Sequence, residues 1–113
     1  MAEDFDPVEE GRRIAHQYLS KRGWAVERRR SLNQQLTPAV NREEFENKQR
    51  QCDQMEEGAE EIFSSEIERW RHDSSSQARE VLRTIYQIMG RRNDLGFFAK
   101  RIMQYLKRTL FPY

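Results

Sequence analysis

Sharp turns are rationed in this 113-residue chain, which has three prolines and five glycines. Few places remain for the backbone to reverse, so long elements are expected. A single cysteine, Cys52, excludes an internal disulfide framework and any cysteine-rich metal site, and fits a reducing compartment. No apolar run approaches the ~20 residues a membrane-spanning helix needs, and there is no signal-peptide pattern. No stretch alternates apolar and polar residues long enough to make a strand. The net charge is +1, so no global field draws the protein onto nucleic acid or an anionic membrane. Arginine outnumbers lysine sixteen to four, but the arginines are dispersed, which argues against an RNA-binding surface. These absences point to one soluble, cytoplasmic, all-α domain over residues 1–113, a compact bundle of about four to five helices.

What is present is amphipathic. Apolar residues make up 36% of the chain and charged residues 35%, and the apolar ones cluster at helical spacing. Residues 53–70 carry the pattern about which the chain is organised: Met55, Ala59, Ile62, Phe63, Ile67 and Trp70 along one stripe, acidic residues opposite. A first helix is expected over residues 7–22, started by Asp6 and Pro7 and capped at its end by Gly23, with Trp24 packing back past the cap and Tyr18, Leu19 and Trp24 buried. Residues 27–40, with an arginine run and Thr37-Pro38, read as a linker. Asn41 is placed to cap a long second helix through Phe45 and Met55 to about Arg71. Gly58 inside it invites a close helix crossing. A third helix follows from about Ser76 to Met89 with Gly90 at its end. A fourth, capped by Asn93 or Asp94 and stopped by Pro112, holds Leu95, Phe97, Phe98, Ile102, Met103, Leu106 and Leu110.

Catalytic chemistry finds little footing. His16 and His72 have no nucleophile or paired carboxylate at a telling spacing, Ser74 to Ser76 form no nucleophile signature, and no glycine-rich phosphate loop occurs. The pairs Glu56-Glu57 and Glu60-Glu61 read as the solvated face of a helix. The expectation is a non-enzyme with no cofactor and no metal. Cys52 reads as a small buried residue, or, if exposed, as an intermolecular contact between two copies in a homodimer.

Three segments resemble homology motifs of the Bcl-2 family of apoptosis regulators, in that family's order. Residues 14–24, Ile-Ala-His-Gln-Tyr-Leu-Ser-Lys-Arg-Gly-Trp, resemble the homology-four helix. Met55, Ala59, Glu60 and Ile62 resemble the homology-three (BH3-type) death motif. Residues 89–99, with Gly90-Arg91 followed by Phe97 and Phe98, resemble the homology-one region. The chain departs from the family in a short interval between the second and third motifs, in lysines and arginines that interrupt the last helix, and in lacking the homology-two Gly-Trp pair. The resemblance implies a hydrophobic groove lined by Ile62, Trp70, Leu82, Gly90, Arg91 and Phe98. Its partner would be the amphipathic BH3 helix of pro-apoptotic relatives, with Arg91 pairing to the partner's aspartate. It further implies inhibition of apoptosis, as in viral mimics of the family that act at the host-virus interface, and contact with the mitochondrial surface through partners. The Met55 stripe could itself be a donated ligand. A self-associating helical scaffold with no groove is the rival reading, since the second helix is long enough to run as a coiled-coil arm.

Overall fold

The computed structural model describes residues 5–35 and 41–111. It contains four helices, α1 (Pro7–Gln34), α2 (Arg42–Arg71), α3 (Ser76–Met89) and α4 (Phe97–Leu110), and no strand among the described residues. The chain is an all-α helical bundle.

Local chemistry explains most of the boundaries. The Asp6 carboxylate accepts from the Val8 and Glu9 amides, and Pro7 occupies the first helical turn where its missing N–H costs nothing. Asn41 accepts from the Glu44 amide at 3.1 Å and Ser75 from the Ala78 amide at 3.1 Å, so α2 and α3 begin where a side-chain oxygen first meets an orphan donor. Gly90 follows the end of α3.

The end of α1 departs from expectation. The helix runs through Gly23 to Gln34, so residues 27–34 are helical and not linker. Residues 36–40, with Thr37-Pro38, and Pro112 lie outside the described residues. Gly23 has no positive φ and therefore does not turn the chain. Tertiary packing overrides its stop signal: Ala25 and Leu32 are buried further along the helix, and Arg29 forks onto Asp53 and Glu56 of α2. With no cap to pack over, Trp24 points outward and is 55% exposed. Leu19 is half-buried and only Tyr18 of the three is fully in the core.

α1 and α2 form an antiparallel hairpin. Arg13 reaches Glu66, Tyr18 reaches Glu60, Arg29 reaches Glu56, and Asn33 reaches Gln49, each step up one helix matching a step down the other. The two helices span about 42 and 45 Å at 1.5 Å per residue, whereas α3 and α4 span about 21 Å each. The short helices pack on one half only. There the continuous core gathers Ile14 and Tyr18 of α1, Phe63 and Ile67 of α2, Val81, Ile85 and Met89 of α3, and Met103 and Leu106 of α4. The other half projects as a two-helix arm whose buried residues, Ala25, Leu32 and Cys52, stand apart from that core.

The close helix crossing is at Gly11, not Gly58. A methyl group at Gly11 would lie 2.7 Å from the Val81 carbonyl oxygen and 2.8 Å from Thr84 Cβ, so α1 and α3 approach to backbone contact there. Nothing stands within 4 Å of the corresponding position at Gly58.

Candidate functional site

The fourth helix begins without a cap of its own. Neither Asn93 nor Asp94 serves; the N-cap is Gly96, which has no side chain to offer, and Asp94 instead forks with Arg92. The donors at the start of α4 are met from across the bundle. Glu60 of α2 accepts from the Ala99 amide at 3.1 Å through one carboxylate oxygen and from the Tyr18 hydroxyl at 2.6 Å through the other. The Tyr18 oxygen in turn accepts from the Gly96 amide at 3.0 Å. A carboxylate thus sits at the positive end of the α4 dipole, supplied by another helix. Burial, and then donation to Glu60, hold the Tyr18 phenol well above its ordinary pKa. Glycine is required at position 96 because any side chain would run into the Glu60 carboxylate.

That junction fixes the start of α4 against the middle of α2 and leaves a seam between them. Phe97 and Phe98 stand out of the bundle there, 67% and 57% exposed, with rings edge to face at 5.6 Å between centroids. At one end the seam opens into a recess of about 920 Å³ with Phe97, Phe98 and Gly96 on one side and α2 on the other. At the other end a groove of about 260 Å³ runs past Ile67, Phe98, Ile102 and Tyr105. The two share Ser64 and Phe98, so Phe98 is the hinge of a continuous channel. The Arg71 guanidinium lies over the Tyr105 ring at 4.8 Å and that of Arg101 over Phe97 at 5.7 Å.

Of the six groove residues inferred from the family resemblance, the structure brings only Phe98 to this open channel. Ile62 borders a narrow gap facing Ile14 and Tyr18 of α1. Trp70 is buried and stacked under Phe5, centroids 5.5 Å apart. Leu82 is buried in the core, since α3 turns that face toward the bundle. Gly90 sits against Tyr86, whose Cε2 would be 2.8 Å from an added methyl. Arg91 is exposed in the turn between α3 and α4.

The death-motif-like stripe is not presented as a unit either. Ala59 is buried and the Glu60 carboxylate is engaged by Tyr18 and α4, while Met55 and Ile62 are 38% and 41% exposed. The face of α2 that is buried runs through Cys52, Ala59, Phe63, Ile67 and Trp70; Met55 and Ile62 lie to one side of it because α1, α3 and α4 cover only that sector. Cys52 is 1% exposed, so its thiol does not reach a second copy.

The sequence reading missed Phe97, Glu57, Glu61 and Arg101. A signal for the carboxylates was present: between Arg50 and Arg69 the chain has seven acidic residues and no basic one. An acidic helix face with no lysine or arginine one turn away is not neutralised within its own helix. Among the described residues no group of three or more metal-ligating side chains is arranged around a common point, and no helix is long and apolar enough to cross a membrane. No protein-family model matches the chain, and neither a curated protein nor a solved structure matches it.

Proposed function

We propose that the protein is a Bcl-2-like apoptosis regulator that binds the amphipathic death-motif helix of pro-apoptotic partners, and that it inhibits apoptosis by sequestering them. The observation that carries this reading is the open channel between α2 and α4, floored by Ile67 and Ile102 and centred on the exposed Phe98. An open channel between two helices, with Phe97 and Phe98 exposed and Ile102 partly exposed among charged side chains and no sheet edge among the described residues, suits a partner that arrives as a helix and not as a strand. Arg91, exposed in the turn that leads into α4, is the residue that the family resemblance assigns to the partner's aspartate. The protein would act in the cytoplasm and reach the mitochondrial surface through such partners.

Calorimetry with death-motif peptides from several pro-apoptotic proteins tests the reading. Arg91→Ala should weaken binding by about 1.5–3 kcal/mol, the scale of a hydrogen bond to a charged group. Phe98→Glu should abolish it, because the channel would then hold an unpaired charge against the partner's apolar face. Leu82 is unsuitable for this purpose, since a charge there disrupts the core. If no peptide binds more tightly than about 100 μM, on the order of 5.5 kcal/mol of binding free energy, the reading is wrong.

The second reading, a self-associating helical scaffold, draws on the arm formed by residues 25–34 and 42–52, whose own core is limited to Ala25, Leu32 and Cys52. A mass in sedimentation that rises with concentration, together with no peptide binding, would favour it.

A further inference from the structure

Near the end of α1 the run Arg28-Arg29-Arg30 is followed by Ser31 and Leu32. The serine therefore has arginines three and two residues before it and an apolar residue directly after it. No other serine or threonine in the chain has arginine at both of those places. That pattern is what an arginine-directed serine kinase reads: carboxylates in its cleft take the two guanidinium groups, and a small apolar pocket takes the residue after the serine.

The folded arm ties up most of the pattern. Arg29 forks onto Asp53 and Glu56 of α2, reaching Glu56 at 2.6 Å. Leu32 is 3% exposed, inside the arm's small core. Ser31 is half-buried, and its hydroxyl accepts from the Gln35 side-chain amide at 3.3 Å. Arg28 stands exposed, with no ion-pair partner among the described residues. Residues two apart on a helix point to different sides, so Arg29 and Ser31 cannot enter one cleft together until that turn unwinds. Opening the arm frees Arg29, Ser31 and Leu32 in one step. The arm is also where opening costs least, because its buried residues stand apart from the main core.

We propose that Ser31 is a phosphorylation site for an arginine-directed serine kinase, masked while the arm is closed and presented when its end unwinds. In the transfer, Ser31 Oγ bonds to the γ-phosphorus of ATP and the bond from that phosphorus to the β-bridging oxygen breaks. ADP leaves, and the hydroxyl proton passes to a carboxylate of the kinase. The product resists reclosure. A phosphate, with about two negative charges, lies in the last turn of α1 at the negative end of the helix dipole. It also competes with Asp53 and Glu56 for Arg29, and it reaches Arg29 only in an unwound chain. Phosphorylation thus turns a transient opening into a lasting one. The inference does not rest on the groove-binding reading.

The test incubates the full-length protein with ATP and the catalytic subunit of cyclic-AMP-dependent protein kinase, an arginine-directed enzyme, and locates the phosphate by mass spectrometry. A synthetic peptide of residues 24–35 sets the unmasked rate. Ser31 should be modified, at least about tenfold more slowly in the protein than in the peptide. Asp53→Asn/Glu56→Gln removes the partners of Arg29 without touching the recognised sequence. It should speed the protein's reaction about threefold, the scale of one surface ion pair, with circular dichroism checking that the helices persist. After phosphorylation, Cys52 should react with a thiol reagent at least about threefold faster, and Ser31→Ala treated with kinase and ATP should show no such change. A peptide that stays unmodified removes the site. A protein modified as fast as the peptide, with no gain in the double variant, overturns the masking. A modified peptide beside an unmodified protein and double variant overturns the proposal too, since the arm then never presents Ser31. Unchanged Cys52 labelling after full modification of Ser31 overturns the effect on the arm.

Discussion

Tyr18 and Glu60 do at the level of two side chains what a helix ordinarily does for itself. The phenol donates to the carboxylate and accepts from Gly96, while the carboxylate accepts from Ala99, so three chain segments meet at one small polar junction beside the core. The pH consequence follows from the raised phenol pKa. Well below pH 10, the pH at which an exposed tyrosine is half ionised, the hydroxyl is protonated in both folded and unfolded chains and its stabilisation is complete. As the pH approaches and passes that value the unfolded chain loses the proton first, so stability falls as pH rises toward the folded value. Thermal melts across pH 8 to about pH 11 should show this decline, and Tyr18→Phe should flatten it while costing about 1.5–3 kcal/mol at neutral pH for the lost bond to a charged group. An equal alkaline decline in Tyr18→Phe would place the titrating group elsewhere.

At the scale of the elements, the glycines separate what is local from what is not. Gly23 lies within α1 with nothing within 4 Å of a prospective methyl, so Gly23→Ala should stabilise the chain by roughly 0.5–1 kcal/mol through helix propensity. Gly11→Ala offers the same propensity gain but drives a methyl into the Val81 backbone, and the melting temperature should fall, by roughly 1–3 kcal/mol of stability. Opposite signs in denaturant titrations are the expected outcome; a gain at both would mean that α1 and α3 are not in backbone contact. These two residues also show how much was legible beforehand. The starts of α1, α2 and α3 were readable because Asp6, Asn41 and Ser75 cap within three residues of themselves. The end of α1 was not, because burial of Ala25 and Leu32 is decided by a helix that arrives later in the chain. The start of α4 was not, because its cap is Glu60, 39 residues away from Ala99. The same limit applies to the channel. An apolar pattern placed Phe97 and Phe98 on a helix, yet which of the apolar side chains would be left outside depends on how α2 and α4 cross, and local spacing does not contain that crossing.

The molecule, measuring 57 × 37 × 18 Å along its principal axes, is a four-helix bundle at one end and, among the described residues, a two-helix hairpin at the other. Helix ends with few buried apolar contacts lie at the low end of the range of opening free energies within a protein. The arm is therefore expected to open and reclose while the bundle stays folded. Cys52 sits inside the arm's small core, at 1% exposure, and makes that opening readable. A thiol reagent reaches it only during an opening, so the labelling rate under native conditions should be far slower than for a small free thiol, yet faster than global unfolding. Leu32→Ala should quicken labelling with little change in the rate at which the bundle unfolds. Labelling that instead keeps pace with global unfolding would make the arm and the bundle one cooperative unit. The lone cysteine, buried in the arm, would serve as a timer for the half of the molecule against which no third helix packs among the described residues.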